Sequence, residues 1–143
     1  MISGLELKCL RESLHLSQQH LANIAGVKDR TVRYWESGHT KVPADVVISL
    51  KEINNDINIQ IGEDLESLYK QGFFDDEPDD ILDEGVPVLS IETYTNDKDY
   101  HASTDYKNWP ELPYSCLHRA YAMRLKNAIE ADMGKAEIII SGS

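Results

Sequence analysis

The chain has 143 residues, of which 41% are hydrophobic and 27% charged, and a formal net charge of −11. That length holds one ordinary domain or a small domain plus an accessory one, and that composition excludes a disordered chain. No apolar run approaches the ~18–20 residues that a membrane span needs. The first residues, Met1-Ile2-Ser3-Gly4-Leu5, lack the basic and then apolar layout of a signal peptide, and Cys9 and Cys116 stand far apart without CxxC spacing. We therefore expect a cytoplasmic protein with no membrane partner, no disulfide scaffold and no zinc.

The charge is uneven. Residues 1–43 hold six basic and four acidic side chains, net +2, whereas residues 44–143 hold eight and twenty-one, net −13. A slightly basic head on an acidic body is compatible with a nucleic-acid partner if the acidic part faces away from the phosphates. Few cations are then available to displace condensed counterions, so non-specific affinity is expected to be weak.

In chain order, Leu5, Leu7, Cys9, Leu10 and Leu14 predict a short amphipathic helix with Lys8, Arg11 and Glu12 towards solvent. Ser17 is a good N-cap for a second helix, Gln18–Ala25, which Gly26 ends by taking a left-handed backbone. A third helix is expected from about Asp29 to Glu36, closed by Gly38. Pro43 suits the start of another, and Val46, Val47, Leu50, Ile53, Ile57, Ile61, Leu65 and Leu68 recur at three- and four-residue steps, a helix of roughly seven turns stopped by Gly72. Asp75–Glu84 holds seven carboxylates and Pro78 and reads as a solvated linker. Val86–Tyr94 reads as a strand, Asn96–Pro113 as a polar stretch without a clean period, and Tyr114–Asp132 as a helix with Leu117, Tyr121, Leu125, Ala128 and Ile129 on its stripe. Gly134 should end that helix before an apolar strand, Ala136–Ile140, with Ser141-Gly142-Ser143 frayed. The expected fold is α+β: an N-terminal all-α helix-turn-helix bundle with the long helix (1–72), an acidic linker (73–85) and a small α+β dimerisation region (86–143).

The stretch Leu16-Ser17-Gln18 … Leu21-Ala22 … Gly26-Val27 … Thr31-Val32 … Trp35-Glu36-Ser37-Gly38 carries the chemistry. Two short helices meeting at a steep angle need a small residue at their contact, and Ala22 supplies it. Val32 and Trp35, three apart, plug the third helix into a core of Leu10, Leu14, Leu21 and Ile24. Asp29, Arg30, Arg33 and Tyr34 then turn outward together, where side chains reach base edges in a major groove. Arg30 and Arg33 suit bidentate contact with guanine, Asp29 could accept from cytosine N4 or cap its own helix, and Tyr34 could touch a thymine methyl or a phosphate. Glu36 is expected to pair with a nearby arginine such as Arg11. His15 and His20 are expected to be plain surface residues.

This stretch resembles the Cro and phage-repressor (XRE-type) helix-turn-helix, whose pattern is LSQ-x-x-LA-x-x-x-GV followed by T-[IV]-x-x-[WYL]-E-x-G. The resemblance implies a sequence-specific DNA-binding regulator. It places Gln18 on a phosphate at the start of the second helix, with Ser17, Lys28, Thr31, Ser37, His39 and Lys41 in the backbone-contacting set. At Lys28 the chain departs from the pattern, where a capping Ser or Thr is usual. Tyr34-Trp35-Glu36-Ser37-Gly38, Val42-Pro43 opening a long helix, a strand ending near Tyr94 and the Asp99-Tyr100 pair also resemble the regulators found with anti-CRISPR genes. That narrower resemblance implies autorepression through an inverted repeat.

Other chemistries fit poorly. An EF-hand loop starting at Asp75 would need Gly and Glu where Asp80 and Val86 stand. Cys116 and His118, two apart on a helix, make a poor metal pair. No nucleophile signature or phosphate-binding glycine loop occurs, so neither an enzyme nor a cofactor is expected. A palindromic operator needs two heads about one turn apart, ~34 Å, so a homodimer on double-stranded operator DNA is the leading expectation, nucleoid-associated when bound. An antitoxin with a toxin partner and an RNA-binding regulator remain as alternatives.

Overall fold

The computed structural model describes residues 2–72, 88–132 and 137–142. Packing divides the chain into two compact units, 1–56 and 57–143, which part within one long helix.

The first unit contains α1 (Gly4–Ser13), α2 (Gln18–Ala25), α3 (Asp29–Glu36) and the first half of α4 (Ala44–Lys70). Each short helix is punctuated locally. Ser3 Oγ accepts from the Glu6 amide and Ser17 Oγ from the His20 amide, while Gly26, at φ +71°, closes α2 with a left-handed turn. His15 makes the α1–α2 turn at φ +60°, a conformation that costs a residue with a Cβ about 1–2 kcal/mol. Leu7, Leu14, Leu21, Ala22, Val32 and Leu50 are fully buried, with Leu16 and Trp35 beside them.

Two expectations for α1 are corrected. Its buried stripe is Leu7, Arg11 and Leu14, spaced i, i+4 and i+7, so Arg11 points inward while Leu5 and Cys9 are exposed. Leu10 and Ile24 are only half-buried, and Leu7 and Leu16 take the core places expected of them. Gly4 explains how close α1 comes to α3. A Cβ there would lie 2.2 Å from the Trp35 carbonyl oxygen and 2.7 Å from that of Glu36, so only a glycine admits the first turn of α1.

α4 follows Pro43, ends before Gly72 at φ +78°, and carries the expected stripe: Val46 and Leu50 are buried in the first unit, Ile57 and Ile61 in the second. The second unit adds β1 (Val88–Thr93), α5 (Asp97–His101), α6 (Thr104–Asn108), α7 (Ser115–Asp132) and β2 (Glu137–Gly142). β1 and β2 pair in parallel from Val88 opposite Glu137 to Thr93 opposite Gly142, and α7 packs against both strands. Side chains alternate, with Ile91, Thr93 and Ile138 buried and Val88 and Ile139 exposed. On α7, Leu117, Leu125 and Ile129 are buried as expected, and Cys116, Ala120 and Ala122 broaden the stripe.

Two further corrections belong here. The polar stretch 96–113 contains two single-turn helices, capped by Asn96 Oδ1 on the Asp99 amide and by Ser103 Oγ on the Tyr106 amide. Ser141 and Gly142, expected to fray, are paired in β2 opposite Glu92 and Thr93, and Ser141 Oγ lies 3.0 Å from Ser90 Oγ. The architecture is the expected α+β, helical at its N-terminus. The linker at 73–85, the strand start at Val86, Gly134, Ala136 and Ser143 lie outside the described residues. Among the described residues no helix is long and apolar enough to cross a membrane.

Candidate nucleic-acid interface

α3 divides its side chains sharply. Val32 and Trp35 are buried at 0% and 5% exposure, while Arg30, Arg33 and Tyr34 are exposed and Asp29 and Thr31 half-buried. One helical turn apart, Arg33 Nη1 and Asp29 Oδ2 form an ion pair at 2.9 Å, with about half of each side chain in solvent. An exposed pair of this kind holds a side chain by only about 0.3–0.5 kcal/mol, so it orients Arg33 without committing it. Among the described residues Arg30 has no ion-pair partner.

The flanks of α3 are built from turns. The Tyr34 carbonyl accepts from the amides of His39 (2.9 Å) and Thr40 (3.3 Å) and from Ser37 Oγ (3.2 Å), and the Tyr34 and His39 rings sit 5.3 Å apart. Ser37, His39 and Lys41 are exposed just beyond the helix. At its start, Lys28 occupies the N-cap position with extended backbone and makes no side-chain capping hydrogen bond, as its departure from the Ser/Thr pattern leads one to expect. At the start of α2, Ser17 and His20 form a reciprocal capping box: the Ser17 amide donates to His20 Nδ1 at 3.2 Å. His20 therefore has a structural task that its reading as a plain surface residue did not include.

A buried ion pair fixes the pose of α3. Arg11 Nε and Nη2 donate to the two carboxylate oxygens of Glu36 at 2.7 and 3.0 Å, the expected pairing, and Arg11 Nη1 donates to the Leu16 carbonyl at 2.8 Å. Gln18 Nε2 donates to Glu36 Oε1 at 3.2 Å, so the residue expected on a phosphate also ties the start of α2 to the end of α3. The Arg11 and Glu36 side chains are 9% and 4% exposed. Hydrogen bonding to Glu36 raises the Arg11 pKa against the opposing effect of burial. One guanidinium thus links α1, the turn after it and α3, and Gln18 adds α2.

In the second unit a polar cluster surrounds the buried His118, a residue that the sequence offered only as half of a poor metal pair. His118 is 4% exposed, and its Nδ1 lies 2.9 Å from Thr93 Oγ1. Burial lowers its pKa, Asp105 partly opposing, which favours the neutral ring. Tyr94 donates to Asp105 Oδ2 at 2.6 Å, and Tyr121 donates to Asp64 Oδ2. Tyr100, fully buried, donates to the Leu112 carbonyl at 2.7 Å, and its ring and that of Tyr94 both pack on His118. In the sequence Tyr121 was assigned to an apolar stripe and Tyr94 and Tyr100 entered only through a resemblance, while Asp64, Thr93 and Asp105 went unmarked.

Over 101 residues, 64% of its length, the chain is 31% identical to a protein of Pyrococcus horikoshii named "Putative HTH-type transcriptional regulatory protein PH1808". It spans about a third of that relative, 32% of its length. The model of a family described as a domain of unknown function, DUF4447, matches residues 1–130, covering the helix-turn-helix unit and all of the polar cluster, and the chain belongs to that family.

Proposed function

We propose that the chain is a sequence-specific DNA-binding regulator of transcription that acts as a homodimeric repressor on an inverted repeat, with α3 as its reading helix. The observation that carries this reading is the division of α3: one side locked into the core through Val32, Trp35 and the Arg11–Glu36 pair, the other presenting Arg30, Arg33 and Tyr34 to solvent. Side chains that read bases must arrive pre-positioned, because ordering them on binding costs affinity. Arg30 is the leading candidate for guanine O6 and N7, and Arg33 exchanges a weak bond to Asp29 for a second base contact. Ser17, Gln18, Lys28, Thr31, Ser37, His39 and Lys41 supply phosphate contacts on either flank. The regulator name of the Pyrococcus relative supports the class of function.

Dimerisation through the second unit is supported by its sheet. Parallel sheets are normally covered on both faces, yet Val88 and Ile139 of this one are 58% and 41% exposed on the face away from the buried set. The test is a fluorescence-anisotropy titration of the full chain against the DNA upstream of its own gene, with light scattering for mass. Arg30→Ala should lower specific affinity by about 5- to 150-fold, the loss of one bidentate base contact, with far-UV circular dichroism unchanged. Wild-type affinity in that variant would overturn the assignment of the reading residue. A wild-type chain that is monomeric both free and on DNA would overturn the dimer.

A further inference from the structure

The second unit carries two open pockets, of about 380 and 300 Å3, that share four wall residues: Asp64 from α4, Asp105 from α6, and His118 and Tyr121 from α7. Among the described residues no lysine or arginine lines either one. The oxygens of Asp64 accept from Gln60 Nε2 at 3.0 Å and from Tyr121, and Asp105 accepts from Tyr94, so both carboxylates have neutral donors and neither faces a lysine or arginine among the described residues. His118, already bonded through Nδ1, has Asp105 Oδ2 3.8 Å from its Nε2, outside hydrogen-bond range. The second ring nitrogen of His118 therefore faces the open pocket, and among the described residues no buried side-chain nitrogen or oxygen is left unsatisfied. Leu68, Leu125 and Ile129 give the larger cavity an apolar side, and Trp109, edge-on to Tyr121 at 5.4 Å, walls the smaller one.

These features select one ligand chemistry. An anion is repelled by three carboxylates, because Glu92 also lines the larger pocket. Among the described residues no three His, Cys, Asp or Glu side chains converge closely enough to hold a metal ion. A neutral apolar molecule fills the space but leaves the carboxylates without a counter-charge. A compact cation with an apolar body satisfies both halves, and the Trp109 and Tyr121 rings in the wall of the smaller pocket favour it further. We propose that these cavities form a binding site for a small organic ammonium compound, its charged head against Asp64, Asp105 and His118 Nε2 and its body on Leu68, Leu125 and Ile129. The site stands whether or not α3 reads DNA.

The probe is hexylammonium chloride, with 1-hexanol as its uncharged counterpart, titrated into the full chain by calorimetry and followed in 15N NMR spectra. Hexylammonium should bind at a single saturable site and shift the Trp109 indole signal but not that of Trp35, with hexanol at least about ten-fold weaker. Asp64→Asn and Asp105→Asn keep acceptors for Tyr121 and Tyr94, and each should weaken hexylammonium at least about ten-fold while leaving hexanol unchanged. Because the two carboxylates sit on different helices, loss of folding in one variant leaves the other to decide. No saturable binding, equal binding of amine and alcohol, or amine binding indifferent to whichever substitution folds would each overturn the proposal.

Discussion

In residues 1–56 a buried arginine and a buried carboxylate neutralise each other, whereas in residues 57–143 the half-buried Asp64 and the half-exposed Asp105 have neutral donors instead of a counter-charge. Arg11 and Glu36 neutralise each other through two hydrogen bonds, and the spare donor on Arg11 and an acceptor on Glu36 are taken by Leu16 and Gln18. In the second unit, among the described residues, Asp64 and Asp105 accept from tyrosine hydroxyls and a glutamine, beside open space and a histidine whose burial favours the neutral ring. A saturated network inside a low dielectric makes one arrangement much better than its alternatives, which suits a scaffold that must hold a helix in one pose. An unsaturated network beside a cavity keeps interaction capacity in reserve. The contrast predicts that the same kind of lesion has unequal consequences in the two units.

The largest expected effect comes from halving the matched pair. Arg11→Ala leaves the Glu36 carboxylate buried without its counter-charge and should cost about 3–5 kcal/mol of stability in the first unit. Urea unfolding followed by the two tryptophan indole NMR signals, Trp35 in one unit and Trp109 in the other, assigns the loss. The double variant Arg11→Met/Glu36→Leu removes both charges and should recover most of it, because a well-packed apolar pair often replaces a buried ion pair at little cost. If the double variant is as unstable as Arg11→Ala, the pair matters for its shape and the matching argument fails.

Next in size is a pH effect confined to the second unit. The folded state holds the His118 pKa below its ordinary value by burial, so on acidification the unfolded chain takes up that proton first. The stability of the second unit is therefore fully present above about pH 6.5 and declines as pH falls towards the folded-state pKa, with a limiting slope of about 1.4 kcal/mol per pH unit for one proton. His118→Asn keeps a polar partner for Thr93 and should remove this slope from the Trp109 signal while leaving the pH response of Trp35 as it was. A slope that survives the substitution assigns the proton elsewhere.

The same contrast explains what the sequence could and could not reveal. Ser17, Gly26, Gly38 and Gly72 are punctuation that acts within a few residues of itself, so the limits of α2 and α3 and the end of α4 were legible. Arg11 turns inward because its partner lies 25 residues away, and no local pattern reports that. Gly4 matters only because two carbonyls at the far end of α3 come to meet it. α5 and α6 are one turn each, too short to display a period, and only their caps Asn96 and Ser103 mark them. Ser141 and Gly142 are ordered by a strand about fifty residues earlier. On the candidate interface, the outward places of Arg30, Arg33 and Tyr34 follow from helical spacing against Val32 and Trp35, whereas the Gln18–Glu36 bond and a cavity drawn from three separate helices are products of tertiary packing.

A milder lesson comes from Tyr121→Phe, which removes the hydroxyl donor to Asp64. A buried charged acceptor stripped of a donor ordinarily costs about 1.5–3 kcal/mol. Here Asp64 borders a cavity from which water can replace the hydroxyl, so the loss should stay near the lower end of that range, well below that of Arg11→Ala. A loss equal to that of Arg11→Ala would mean that the cavity does not relieve the mismatch, and the two units would then differ in composition but not in kind.

The smallest effect tests the one unmatched place in the first unit. Lys28 occupies the N-cap of α3 without a side-chain hydrogen bond to the helix. Lys28→Ser should therefore stabilise that unit, by about 0.5–1 kcal/mol, as Ser satisfies one of the helix's open amides. If Lys28 is kept for a phosphate, the same change weakens DNA binding across all sequences and lowers the dependence of log affinity on log salt by about one. Stability and affinity would then move in opposite directions from a single side chain, separating a contact with DNA from a general loosening of α3. Should stability rise while affinity and salt dependence stay put, Lys28 is only an imperfect cap, and phosphate binding at this end of the helix falls to Thr31.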